Sequence, residues 1–290
     1  MALTPIYWLA SYPKSGNTWL RALIANYLAD SDHPANINEL GYYIPYESYR
    51  LWFDLAFQMD SSLLTNAEID QLRPEYHRLF AKTNTGVIVL KTHQCFSRFA
   101  NGDPLFPADA TGGIIYIARN PLDVVVSFAN HNRQTIDQTI LDMNDAGYSL
   151  ANFPNVRSTA LHEHLGTWSQ HISTWLDQTA LPQLTIRYED LSADTTTVFA
   201  QVLEFLGLEM DSARLEKAIR FSSIGEMKKQ EQDLSFIEKP LGVESFFRKG
   251  KVGDWRSSLT SEQVAQIVRD HGAMMQRLNY PLPLIDAPKD

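Results

Sequence analysis

Ser11-Tyr12-Pro13-Lys14-Ser15-Gly16-Asn17-Thr18-Trp19 is the stretch on which the fold of this chain turns. A short apolar run over residues 6–10 leads into it, and a helical pattern over 18–29 leaves it. A strand that turns tightly through glycine and opens a helix makes an anion cradle. The loop N–H groups and the positive end of the helix dipole both face the ligand. The nucleotide triphosphatase loop differs, because its lysine follows the last glycine and precedes Ser or Thr. Here Lys14 stands two residues before Gly16, and Trp19 follows closely, able to offer a ring to a base.

Outward from this loop, strands and helices alternate. Residues 87–91 read as a buried strand, short, β-branched and preceded by Gly86. Gly112-Gly113 announces another over 114–118, followed by a helix from Pro121 to about Asn132. A third strand is expected at 184–187, with helices at 66–82 (interrupted at Pro74), 159–178, 195–206 and 211–220. Thr260 with Gln263 makes a capping box for a last helix reaching about Leu278. The aromatic-rich region 42–57 and the Asn/Asp/Gln-rich segment 133–158 show weak periodicity, and 133–158 reads as an inserted lid or loop. The alternation implies an α/β fold, a P-loop-like doubly wound parallel sheet flanked by helices. No repeat or linker divides the chain, so one domain over 1–290 is expected. Ligands of such sheets sit beyond the carboxyl ends of the strands, where Lys14, His93, Arg119 and Tyr188 all fall.

Composition narrows the function classes. A chain of 290 residues with 44% hydrophobic content can bury a full core. A net charge of -9 argues against nucleic acid as a bulk partner. Basic residues cluster locally instead, at Lys228-Lys229 (read as a solvated face) and at Arg248-Lys249 with Lys251, a pattern suited to a small polyanion. Cys95 is the single cysteine, which rules out an intrachain disulfide and reads as a packed thiol in a reducing compartment. No signal-peptide pattern or long apolar span is seen, so a cytoplasmic protein without membrane partners is expected.

Several strand ends carry chemistry. Lys91-Thr92-His93 closes the second strand; taken alone, a histidine like His93 is more often a hydrogen-bonded structural residue than a base, but beside a lysine on the ligand side it fits a general base. Arg119 ends the third, and Ser127 lies eight residues on, within reach of the same phosphate. The alternative pairs Arg119 with Asp123 and leaves Ser127 to cap or pack. Glu189-Asp190 after Tyr188 reads as a helix-entry acidic pair rather than a metal site. Phe246-Phe247-Arg248-Lys249-Gly250-Lys251-Val252-Gly253 makes a flexible loop whose backbone can approach a phosphate.

Taken in order and spacing, these segments resemble the cytosolic-type sulfotransferase family from Ile6 to about Leu259. That family uses 3′-phosphoadenosine 5′-phosphosulfate (PAPS) as donor and releases 3′,5′-diphosphoadenosine (PAP). The resemblance implies that Lys14 contacts the sulfuryl group and its bridging oxygen, with Ser15, Gly16, Asn17 and Thr18 around the 5′-phosphate. It implies Arg119, Ser127, Arg248, Lys249 and Gly250 on the 3′-phosphate. Trp19, Tyr188, Ser222, Ile224, Met227 and Phe246 would form the adenine pocket. His93 would be the base, with Lys91 holding the transferred group, and no metal is required. The wording Asn17-Thr18-Trp19 is also similar to bacterial sulfotransferases acting on natural products. Asn17 stands where the family commonly has Thr, and Ile224 replaces an aromatic residue. Ser261 and Ala265 depart from the family's dimer motif, so a monomer or weak homodimer is expected. The implied reaction moves a sulfuryl group to the hydroxyl of a small-molecule acceptor, a phenol, alcohol or natural product. A P-loop kinase or other nucleotide triphosphatase, and a non-catalytic nucleotide-binding module, are the competing classes; the lysine position disfavours the first, and Lys14, Lys91 and His93 together disfavour the second.

Overall fold

A computed structural model describes residues 3–152 and 158–283. Its centre is a four-stranded, all-parallel sheet of β1 (Ile6–Ala10), β2 (Ile88–Thr92), β3 (Thr111–Ala118) and β6 (Gln183–Arg187) in the order β2-β1-β3-β6. Successive side chains of a strand face opposite sides, and the two cores follow that alternation. Ile6, Trp8, Leu90, Ile114 and Tyr116 pack on one side with the helices Pro121–Asn132, Trp168–Leu176 and Ser261–Arg277. Leu9, Val89, Ile115, Ile117 and Ile186 pack on the other with Asn17–Ala29, Thr195–Phe205 and Ser212–Phe221. This is the doubly wound α/β arrangement that the alternating pattern implies. The chain runs from β1 out to β2, then crosses back to place β3 on β1's other edge. The crevice between β1 and β3 is therefore the switch point, the expected ligand position.

Several local expectations change. Pro74 does not interrupt its helix: Asn66–Thr83 is continuous, secured by a Thr65/Glu68 capping box and by Arg73 and His77, both buried against the Glu47 carboxylate. Gly112 and Gly113 lie inside β3 instead of ahead of it. A Cβ on Gly113 would come within 2.7 Å of the Phe205 ring, so glycine here admits a packed aromatic rather than a turn. The helix expected over 159–178 starts only at Trp168. Glu163–His164 (β5) pair antiparallel with Ser149–Leu150 (β4), and a Thr167/Gln170 capping box then opens the helix. The segment 133–158, expected as a lid or loop, contains a helix, Ile136–Met143, whose Ile140 and Met143 enter the main core while most of the segment's other described residues are exposed or half-buried. Residues 153–157 of that segment lie outside the described residues. Region 42–57 also contains a helix, Arg50–Phe57, and residues 45–47 run along the edge of β2, with Glu47 N–H donating to Lys91 O and Lys91 N–H to Pro45 O. The helix Ile224–Leu234 had gone unread, although Ser223 and Glu226 carry its N-terminal signature, the Ser223 hydroxyl accepting from Glu226 N–H.

Candidate active site

A cavity of about 1040 Å³ opens over the carboxyl ends of β1, β2 and β3. Lys14, Gly16, Asn17, Thr18, Trp19, Lys91, His93, Arg119, Ser127, Tyr188, Ile224, Met227, Phe246, Arg248, Lys249 and Gly250 all line it. Ser15 and Ser222 do not. Ser222 ends the helix Ser212–Phe221 and faces inward, fully buried, accepting from Asn26 Nδ2 at 3.1 Å. Ser15 is likewise fully buried, its Oγ without a hydrogen bond.

The first loop has the geometry of a cradle. Lys14 and Gly16 both have positive φ, 67° and 107°. At Gly16 any Cβ would lie 2.6 Å from the Tyr188 ring, so only glycine lets loop and ring close together. The helix Asn17–Ala29 has no side-chain cap and no acid in its first turn, which leaves its first N–H groups free for an external anion. Asn17 spends its amide donors internally, on Leu9 O and Ser11 Oγ, so its side chain braces the loop. Burial, reinforced by Arg119 and Lys91, pulls the Lys14 ammonium down to about 7. A positive group this costly to keep charged is one that an incoming anion will stabilise.

His93 sits on the turn after β2, and three buried groups fix it. Glu163 accepts from His93 N–H at 2.7 Å and Gln94 N–H at 3.1 Å, and Tyr46 OH donates to the same carboxylate. Burial raises the Glu163 carboxyl above its usual range. His171 Nε2 donates to His93 O at 2.8 Å, so its Nδ1 accepts from Tyr116 OH. The His93 ring lies with Nδ1 2.8 Å from Ser11 O. A carbonyl can only accept, so Nδ1 carries the proton and Nε2 keeps its lone pair. Burial, then the neighbouring Lys91, holds the imidazolium well below its ordinary pKa, which makes the ring neutral and able to take a proton.

Arg119 does not pair with Asp123. Its guanidinium lies 4.4 Å over the Tyr188 ring and donates to Lys14 O at 3.3 Å and Lys251 O at 3.0 Å, with Nε left without a partner. Asp123 instead accepts from Gly253 N–H at 2.7 Å and Trp255 N–H at 3.1 Å, tying the glycine-rich loop to the helix Pro121–Asn132. Arg119, Asp123, Ser127 and His131 are spaced four apart and all line the cavity, so the latter three share one face of that helix. Ser127 takes no part in capping, which Asn120 performs. Arg248 and Lys249 both close on Asp254, at 2.6 and 2.5 Å, a carboxylate occupying the partner position that an anionic ligand would compete for. Glu189 and Asp190 lie in the first turn of Tyr188–Ala193 as expected, Asp190 bonded to Arg187. Cys95 is buried away from the cavity, its thiol pushed up by burial.

Sequence reasoning missed Arg21, Glu238 and His131. Arg21, 1% exposed, donates twice to Glu238, at 2.8 and 3.0 Å, and that carboxylate also lies 3.8 Å from Lys91 Nζ. Burial works against the Glu238 charge, but Lys91 and Arg21 outweigh it and hold the carboxyl at about 2. No local pattern joins residues 217 apart. The cavity is also lined by aromatic rings, those of Tyr42, Tyr46, Tyr49, Trp52 and Phe128, with the Tyr46 ring 4.3 Å beneath Lys91 Nζ.

The profile of the family described as "Sulfotransferase domain" matches residues 5–279. Cytosolic sulfotransferase 10 of Arabidopsis thaliana is 28% identical, over 89% of this chain and 74% of its own length. Sulfotransferase 2A6 of Rattus norvegicus is 27% identical, over 88% and 79%. Among solved structures, retinol dehydratase in a complex with retinol and PAP shares the fold with a TM-score of 0.64. Its identity is 20%, with 98% of this chain and 84% of that one covered.

Proposed function

Since this chain belongs to the sulfotransferase family, we propose that it moves a sulfuryl group from PAPS to a hydroxyl of a small-molecule acceptor. The observation that supports this most is that Lys14, Lys91 and His93 line one cavity together with Arg119, Arg248 and Lys249 and with the rings of Tyr42, Tyr46, Tyr49 and Trp52. The donor supplies an activated sulfuryl group on a phosphate leaving group. The loop N–H groups and Lys14 fit its 5′ side, and Arg119, Ser127, Arg248, Lys249 and Gly250 fit a 3′-phosphate. Trp19 and Tyr188, edge to face at 5.6 Å, fit the base together with Ile224 and Met227. Phe246 lies with its ring under Lys14 Nζ, 3.9 Å from it, and so borders both the base and the reacting end.

His93 Nε2 takes the acceptor's proton as the acceptor oxygen attacks. Lys14 meets the charge that grows on the departing phosphate oxygen, and Lys91 steadies the group in flight. Preorganised charges of this sort are usually the largest catalytic term. The anionic donor also offsets Lys14 and Lys91, which raises the proton affinity of His93 at the moment a proton must be taken. The aromatic lining suits an apolar alcohol or phenol, the class to which the retinol of the solved neighbour belongs. The cytosolic names of relatives support a cytoplasmic setting, and no helix among the described residues is long and apolar enough to cross a membrane. No group of three or more metal-ligating side chains is gathered among those residues.

Calorimetry with PAP tests the reading. Lys14 has a pKa near 7 in the free protein, and a bound anion raises it. Binding should then take up a proton near neutral pH, and affinity should be flat below about pH 7 and fall as pH rises above it. Tight PAP binding without magnesium, with proton uptake, is the expected result. Preference for ATP with magnesium, or a PAP affinity indifferent to pH between about 6 and 9, would overturn it.

A further inference from the structure

We propose that His131 is a positioning residue for Lys14, holding its ammonium group in place beside the anion cradle until a nucleotide enters. The inference rests on the sulfuryl-transfer reading and adds a residue to it. His131 Nδ1 lies 3.3 Å from Lys14 Nζ. A protonated lysine has only donors, so towards the ammonium form Nδ1 accepts and the imidazole proton sits on Nε2. The Phe246 ring also contacts the ammonium, its centroid 3.9 Å from Nζ, and that ring meets the His131 ring edge to face at 5.8 Å. The reactive end of Lys14 therefore touches an imidazole and a phenyl group that also touch each other.

The location is built into the sequence. His131 comes one helical turn after Ser127 and two after Asp123, which puts it on the cavity-facing side of the helix Pro121–Asn132. Burial, then Lys14 and Lys91, holds the His131 imidazolium down to about 3, so the ring stays neutral and able to accept across the working pH range. Around Lys14 the charged neighbours are Arg119 and Lys91, which disfavour its charge, and Glu238 and Glu231, which favour it. In that balance a neutral acceptor at hydrogen-bond distance favours the protonated form of the amine and aims it. When the nucleotide enters, Lys14 exchanges the imidazole nitrogen for a phosphate oxygen; no bond is made or broken in His131 itself.

The test uses His131→Asn, His131→Gln and His131→Leu. Asparagine sets an acceptor oxygen close to the Nδ1 position, glutamine carries it one methylene farther, and leucine removes it. Turnover at saturating PAPS and acceptor, and PAP affinity against pH, are the readouts. His131→Leu is expected to lower kcat at least about tenfold, the scale of one charge-assisted hydrogen bond, and to shift the upper pH limb of PAP affinity toward lower pH. His131→Asn should keep kcat within about threefold of wild type with its limb in place, and His131→Gln should resemble leucine. Equal kcat and equal limbs for asparagine and glutamine would overturn the proposal, whether or not the leucine variant folds. Wild type that neither binds PAP nor transfers sulfate would instead refute the underlying function.

Discussion

Alanine at His93 is expected to cut turnover by about 10²–10⁴-fold, the usual contribution of a positioned base. PAP affinity should stay within about twofold of wild type. The separation of effects follows from where the ring acts. On the proposed reading its Nε2 serves the acceptor and not the nucleotide, and the turn that carries it is held by Glu163 and His171 through backbone atoms that alanine retains. The one side-chain link to the first loop runs from Nδ1 to Ser11 O, so PAP affinity also reports whether that loop has kept its shape. Transfer of labelled sulfate from PAPS at saturating substrates measures the loss. A variant with a tenth or more of the wild-type rate would show that His93 is not the base.

Arginine 248 gives the second large effect. Arg248→Ala should weaken PAP binding about 10–100-fold, which corresponds to about 1.5–3 kcal/mol for a charge-assisted contact. Binding of the analogue without its 3′-phosphate should hardly change. In the free protein Arg248 already holds Asp254 at 2.6 Å, so the phosphate must displace a carboxylate, and the effect belongs nearer the lower figure. Arg119→Ala should cost a similar factor, but not as cleanly. Arg119 also donates to Lys14 O and Lys251 O, so its loss loosens both loops and weakens both nucleotides in part. Calorimetry showing equal losses for the two nucleotides in the Arg248 variant would remove it from the 3′-phosphate.

What could be read from the sequence was whatever local chemistry dictates. The bounds of β1 and of the helix Pro121–Asn132 follow from an apolar run ended by a loop and from proline at a helix start after an asparagine cap. The strand-end positions of Lys14, His93, Arg119 and Tyr188 follow from topology, and the cavity gathers all four. Groups supplied from far along the chain could not be read this way. Glu163 reaches His93 across 70 residues, His171 across 78, and Glu238 reaches Arg21 across 217, with no spacing rule linking them. Composition also misled at 133–158, where polar residues concealed the Ile140 and Met143 pair that seats a helix. His131 was legible only as the next member of a four-residue spacing whose earlier members had been read for other reasons.

That spacing makes the helix Pro121–Asn132 a ruler. Through Asp123 it grips the backbone of the glycine-rich loop, and through His131 it meets the ammonium at the reacting end, about 12 Å farther along at 1.5 Å per residue. A hydrogen-bonded helix neither stretches nor shortens appreciably, so the two ends of the cavity cannot adjust their separation independently. A donor bound as proposed would therefore be measured by length as well as by charge: an anion set with the right groups at the wrong interval would satisfy one end of the rod and forfeit the other.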